Sequence, residues 1–195
     1  MQLFYVTAFI GGLVIFFTAH FYSAFRPRGP ADIQTKMGRG PYMGLYSIVS
    51  IVGFGLLIWG YGNLKPWIPI WTPPVWTRHI AMTLMLPALI ILVSAYAPAG
   101  FIKKAVKHPM LLAVKIWALA HLIANGDLAS IILFGSFLVY GVVDRIAVKR
   151  RGDVGAANAN PNILGDMIAV AVGGAAYGAL AFYLHPILFG VPVVT

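Results

Sequence analysis

The sequence predicts an all-α integral membrane protein, a helix bundle with about six transmembrane helices. Of the 195 residues, 60% are hydrophobic and only 10% are charged, whereas soluble globular domains are about one quarter charged. The charges are also clustered, and most of the stretches between them are long enough to cross the bilayer core as helices. The uncharged stretches are 1–25, 40–64, 79–102, 128–143 and 167–195. This composition excludes a nucleic-acid-binding domain, a disulfide-rich secreted domain and a disordered tail, so the first predicted partner is the lipid bilayer.

Proline and glycine clusters mark the ends of the predicted helices. The predicted spans are 3–24, 42–62, 79–97, 109–125, 128–146 and 166–188. Because no basic residue precedes the first span, we expect a retained helix and not a cleaved signal peptide. Lys115 interrupts the fourth span, but its stem can run toward the helix N-terminus and bring the amine to the interface. We treat residues 1–195 as a single transmembrane domain.

The fourth and fifth predicted spans form a tight antiparallel hairpin, because only Asn125, Gly126 and Asp127 separate them. Glycine commonly ends a helix and aspartate commonly caps the next one. We therefore expect Gly126 to end the fourth helix and Asp127 to cap the fifth. Small residues also permit close helix contacts in lipid. The candidate contact residues are Gly11, Gly12, Gly53, Gly55, Gly135, Gly141 and a GxxxG pair of Gly174 and Gly178.

Lysine and arginine residues are distributed unevenly between the predicted connections. The first, third and fifth connections contain eleven of them, the second contains Lys65 and Arg78, and the fourth contains none. Basic residues accumulate in cytoplasmic loops, so we predict that both chain termini lie on the outer side. The second connection, 63–77, is rich in tryptophan and proline, which favours a non-helical segment at the outer interface. A lid over a lipid-facing site is the alternative interpretation.

Histidines are the strongest candidates for a function within the predicted membrane region. They are His20, His79, His108, His121 and His185. Three of them lie at predicted helix ends, where an interfacial or capping role explains them, whereas His20 and His121 lie deeper. Trp117 shares a helix face with His121. A single buried histidine can be satisfied by a backbone carbonyl, but several in one small bundle favour ligation. The chain has no Cys and no Glu, and an imidazole-only site in an apolar bundle suits haem.

Three segments resemble the NnrU family of bacterial membrane proteins: 108–130, 133–137 and 143–145. The resemblance implies a bacterial inner-membrane protein associated with denitrification and nitrogen-oxide metabolism. In such a protein the outer side, where the distribution of basic residues puts both termini, is the periplasm. The broader family includes the plant 15-cis-zeta-carotene isomerase, a haem b protein with histidine ligation. Carried over to this chain, the resemblance assigns the haem iron to His121 and His20 and places Trp117 in the cofactor site. A lipophilic substrate or a quinol is then a candidate partner, while protein partners are unknown.

The resemblance leaves the enzymatic activity open between a haem-dependent isomerase and a redox enzyme. Ala118 stands where the isomerase has a cysteine, so ligand exchange through a thiolate has no counterpart here. His108 and Pro109 also resemble the His-Pro of isoprenylcysteine carboxyl methyltransferases and methanethiol methyltransferases, which implies an S-adenosylmethionine-dependent methyltransferase as an alternative. A haem-free assembly or structural role is the other alternative.

Helix geometry conflicts with the ligand pair that the resemblance implies. His20 lies roughly 9 Å to the inner side of the middle of its span, and His121 lies roughly 7 Å to the outer side of the middle of its own. Two imidazole nitrogens on one iron are only about 4 Å apart. Depth in the membrane alone pairs His121 with His79 or His185 near the outer side. It pairs His20 with His108 near the inner side. We therefore keep His108 and His79 as alternate metal ligands.

Overall fold

The computed structural model describes residues 1–64 and 67–194. Over this part of the chain the protein is all-α, and its one β feature is an isolated bridge between Pro69 and Asp127. The helices are α1 (Gln2–Phe25), α2 (Ile33–Met37), α3 (Arg39–Asn63), α4 (Trp76–Tyr96), α5 (Phe101–Val106), α6 (Pro109–Ala124), α7 (Leu128–Arg150), α8 (Ile163–Ala179) and α9 (His185–Phe189). A 3-10 turn covers Gly155–Asn158 and a π-helical turn covers Leu180–Leu184. Lys65, which belongs to the predicted second connection, lies outside the described residues.

All six predicted spans are helices, and each end lies within four residues of its predicted position. Five helices in the described chain are long and apolar enough to cross a membrane: α1, α3, α4, α7 and the continuous segment Ile163–Phe189. The remaining one, α6, is apolar but has only 16 residues. Its length is about 24 Å at 1.5 Å per residue, somewhat less than the bilayer core. The chain is therefore a multi-pass helical membrane protein.

The chain divides into two compact units, Met1–Trp67 and Ile68–Thr195. The single domain expected from the sequence stays a prediction. In the first unit α1 packs antiparallel to α3. Residues nearer the end of α1 contact residues nearer the start of α3. Gly60 lies against Phe9, and a Cβ on Gly53 would lie 2.7 Å from the backbone nitrogen of Phe16. Glycine lets these two backbones approach closely.

A buried ion pair organises the connection after α1. Arg26 pairs with Asp32, and the two side chains are 11% and 4% exposed. The Arg26 guanidinium also lies 5.2 Å from the ring centroid of Tyr42. Asp32 caps α2 by accepting a hydrogen bond from the Gln34 backbone nitrogen. One carboxylate therefore serves both the helix start and the arginine.

In the second unit, α4 lies between α6 and α8, and α7 packs on the other side of α6. The hairpin of α6 and α7 brings the start of α6 and the end of α7 to the same end of this unit. That end, which we call the basic end, carries Lys103, Lys104, Lys107, Arg145, Lys149, Arg150 and Arg151. The stem of Lys115 lies on Gly141 of α7, so glycine makes room for the lysine that interrupts the fourth predicted span.

The predicted glycine contacts are partly confirmed. Gly12, Gly53 and Gly141 meet neighbouring helices, whereas Gly11, Gly55 and Gly135 face open space in the described chain. The predicted GxxxG pair of Gly174 and Gly178 was wrong, since neither residue approaches another element of that part of the chain. The buried small-residue face of α8 is instead Gly165, Ala169 and Gly173. Adjacent residues on a helix point about 100° apart, and composition does not tell which of two neighbouring glycines faces the partner helix.

The hairpin between α6 and α7 has the predicted cap. Asp127 accepts hydrogen bonds from the Ser130 backbone nitrogen (2.8 Å) and the Ser130 hydroxyl (2.6 Å). However, α6 ends at Ala124, and Asn125 follows in an extended conformation with φ −121° and ψ 138°. The expectation that Gly126 ends the helix was therefore wrong.

Gly126 is instead the point where the tryptophan-rich connection meets the hairpin. Its carbonyl accepts hydrogen bonds from the backbone nitrogens of Ile70 (2.8 Å) and Trp71 (3.1 Å), and Leu128 donates back to Ile68 (2.9 Å). A Cβ at Gly126 would overlap the Trp71 carbonyl oxygen. Glycine is required by this close approach. The described part of the connection before Trp76 is non-helical, as predicted.

Candidate functional site

His121 lies in the last turn of α6 with its imidazole held in one orientation. Its Nδ1 is 2.8 Å from the carbonyl oxygen of Trp117. A carbonyl only accepts hydrogen bonds, so Nδ1 carries the proton and the neutral ring has its lone pair on Nε2. The ring also stacks on Phe134 of α7, with centroids 4.6 Å apart and planes 29° apart. The structure thus presents His121 as a nitrogen donor with a defined tautomer.

Aromatic side chains from both arms of the hairpin support this orientation. The Trp117 ring lies 5.2 Å from the His121 ring, which confirms the shared face. Trp117 also makes edge-on contacts with Phe134 (5.1 Å) and Phe137 (5.3 Å). Asn125 donates from Nδ2 to the His121 carbonyl (2.8 Å), which satisfies an acceptor at the helix end. Phe134 and Phe137 were not among the predicted site residues. The register in which α7 packs on α6 is the signal that would have identified them.

His20, in the first unit, has the same local arrangement as His121. Its Nδ1 is 2.8 Å from the carbonyl oxygen of Phe16, four residues earlier. Its ring stacks on Phe16 with centroids 3.9 Å apart, and Tyr46 lies 5.2 Å away. In both sites an aromatic residue one helical turn earlier provides the carbonyl and a ring beside the imidazole. The two predicted ligands therefore share a tautomer and a local geometry.

His185 lies in the same compact unit as His121. It begins α9 directly after the π-helical turn, and its Nδ1 is 2.7 Å from the carbonyl oxygen of Val191. The pairing of His121 with His185 by depth in the membrane stays a prediction. The π-helical turn Leu180–Leu184 has no clear signature in the sequence, and such turns are frequent at functional sites.

The two alternate ligands lie at helix ends, as expected. His108 precedes the first residue of α6, and its Nε2 is 3.2 Å from the Asp153 carbonyl oxygen. His79 lies in the first turn of α4 and lines a cavity of about 330 Å³ that also contacts Tyr177 of α8. Among the described residues, no three histidine or aspartate side chains come together as a metal-binding group.

Comparison with known proteins gives one match. No curated protein and no solved structure matches this chain. The family model described as NnrU protein matches residues 8–193 of the 195. The match covers both compact units and contains all five histidines. The chain therefore belongs to the NnrU family.

Proposed function

We propose that this NnrU-family protein binds haem b within the membrane, with His121 Nε2 as an axial ligand, and acts in redox or nitrogen-oxide metabolism linked to denitrification. The observation that supports the proposal is the contact of 2.8 Å between His121 Nδ1 and the Trp117 carbonyl. Metal-binding histidines usually donate their other ring N–H to such an acceptor, which fixes the tautomer and the ring orientation. His121 has this arrangement.

The surroundings of His121 fit a porphyrin in their chemistry. A porphyrin supplies four nitrogen ligands, so one or two imidazoles complete the iron site. Helix α6 is apolar, and Trp117, Phe134 and Phe137 provide aromatic surface beside the imidazole. Trp117 acts as a positioning residue because its carbonyl holds the His121 ring. Bound haem would supply a one-electron redox centre.

The family resemblance assigns the second axial position to His20, and the bond from its Nδ1 to the Phe16 carbonyl supports the same tautomer there. His185 is the competing candidate, because the depths of the predicted spans pair it with His121. The two candidates differ in a measurable way. Loss of the true second ligand converts a six-coordinate haem to a five-coordinate one, which shifts the Soret band.

Absorption spectroscopy of the detergent-purified full chain, with a pyridine haemochrome assay, tests the proposal. We expect a Soret band and a b-type haemochrome. His121→Ala should remove most of the haem, whereas the matched control His108→Ala, which removes an imidazole from a helix end of the same unit, should keep it. Colourless wild-type protein from haem-replete cells contradicts the proposal, as does unchanged haem in His121→Ala.

The variants His20→Ala and His185→Ala identify the second ligand in the same assay. We expect the Soret shift in His20→Ala; a shift confined to His185→Ala would replace His20 by His185. Loss of haem in His79→Ala or His108→Ala but not in His121→Ala would move the site to an alternate histidine. Colourless protein that binds S-adenosylmethionine in a calorimetric titration would favour the methyltransferase alternative, and protein that binds neither would favour an assembly role.

We also propose that the protein lies in the bacterial inner membrane with both termini in the periplasm. The support is the basic end of the second unit, because basic residues remain on the cytoplasmic side. Reporter fusions that require the periplasm should be active near residue 70 and at the C-terminus, and inactive near residues 35 and 150. Reversed activities would refute the orientation, and termini on opposite sides would show that α6 does not cross.

A further inference from the structure

A second cavity, largely open to the outside, lies at the basic end of the second unit, away from His121. Its volume is about 290 Å³. Its walls combine basic groups with apolar side chains from the start of α6. They include Lys103, Lys107, His108, Pro109, Met110 and Leu111. Among the described residues that line it there is no acidic side chain, so the cavity combines a positive charge with an apolar wall.

The backbone at Lys107 has a strained conformation. Lys107 has φ 67° and ψ −48°, and among the described residues it is the single non-glycine residue with a positive φ. The His108 nitrogen donates to the Val106 carbonyl (2.8 Å), which makes Lys107 the central residue of a rare, strained γ-turn. Glycine would adopt this conformation without strain. Such strain clusters at functional sites, and here it occurs at a lysine that lines the cavity.

Two further contacts hold this turn and its neighbour in place. The Lys107 carbonyl accepts a hydrogen bond from the Ala156 nitrogen (2.9 Å). Gly155 lies so close to the Lys107 carbonyl and the His108 ring that it has no room for a Cβ. The connection after α7 therefore closes over the γ-turn and stabilises it.

Lys103 is the second lysine that lines the cavity. Its Nζ donates to the carbonyls of Ala95 (2.9 Å) and Ala97 (3.0 Å) at the end of α4. These bonds use two of its three donors. The acidic residues nearby in the chain are engaged elsewhere: Asp153 accepts from the Gly155 nitrogen, and Asp166 accepts from the backbone nitrogens of α5. The two lysines therefore provide the charge of this cavity.

We infer that this cavity binds the phosphate of an anionic phospholipid, with Lys103 and Lys107 at the phosphate and the apolar wall of α6 beside the glycerol and acyl chain. Basic pockets at the cytoplasmic ends of membrane helices suit lipid headgroups. A soluble phosphate shares the charge but would gain nothing from Met110 and Leu111. The inference rests on the proposed orientation, which puts the basic end in the cytoplasm, and not on haem binding.

Native mass spectrometry of the delipidated full chain tests this inference. Phosphatidylglycerol should form adducts in preference to phosphatidylcholine. Lys107→Gly removes the ammonium and relieves the backbone strain, so it should fold normally and lose phosphatidylglycerol affinity by about fivefold. The matched control is Lys104→Gln, which removes a neighbouring charge outside the cavity lining and should bind as the wild type does.

Three results would overturn the inference. The first is equal binding of the two lipids, and the second is wild-type affinity in Lys107→Gly. The third is thermal stabilisation by millimolar inorganic phosphate that matches stabilisation by phosphatidylglycerol, which would identify a soluble ligand. If Lys103→Gln also lowers affinity while Lys104→Gln does not, both predicted phosphate contacts are supported.

Discussion

Replacing Gly173 by alanine tests how α8 packs against α4. A Cβ at Gly173 would lie 2.6 Å from the Cα and 2.9 Å from the nitrogen of Ile90. Both atoms belong to the backbone of α4, so no side-chain rotation can make room. Ordinary contacts of this kind begin near 3.4 Å, and the two helices must therefore separate by nearly 1 Å. Such overpacking costs about 1–3 kcal/mol.

The matched control is Gly174→Ala, one residue further along the same helix. Nothing in the described chain lies within 4 Å of a Cβ at Gly174. Alanine is favoured over glycine in a helix interior by about 1 kcal/mol, so this variant should be as stable as the wild type or more stable. The variants Gly173→Ala and Gly174→Ala therefore differ only in the direction in which the added methyl group points.

Thermal unfolding in detergent, followed by fluorescence-detected size exclusion, distinguishes the two variants. Both variants gain the helix propensity of alanine, about 1 kcal/mol, so the overpacking of about 1–3 kcal/mol is the difference in stability between them. At about 2–4 °C per kcal/mol, Gly173→Ala should unfold several degrees below Gly174→Ala in apparent Tm. A lower apparent Tm for Gly174→Ala than for Gly173→Ala would mean that Gly174 and Gly178 form the packed face. Equal Tm values for the two variants would refute the packing argument.

Two further predictions concern the helix caps and the buried ion pair. Asp127→Ala removes both bonds to Ser130 and should lower the unfolding free energy by about 1 kcal/mol; an unchanged Tm would show that another group caps α7. Arg26→Gln leaves the Asp32 carboxylate buried without its cation and should cost about 3–5 kcal/mol. The double variant with Asp32→Asn should recover part of that loss in the same thermal assay, and a purely additive double variant would contradict the pairing.

The membrane helices could be predicted because their cause is local. A run of apolar residues without charges is driven into lipid wherever it lies in the chain, and backbone groups in lipid must bond within the helix. For the same reason, Asp127 could be identified as a cap, since a cap acts within one helical turn. The shared face of Trp117 and His121 follows from helix periodicity alone.

The sequence by itself therefore determined the helix positions, the hairpin, the uneven charges and the short set of histidines. Only the tertiary structure decided which Gly lies against α4, why position 126 needs glycine, and that Lys107 adopts a strained turn. Only the tertiary structure also placed Phe134 against His121. The physical reason is that helix propensity and hydropathy depend on neighbours in sequence, whereas these features depend on atoms from distant segments. Close packing and ligand geometry arise when those segments meet in space.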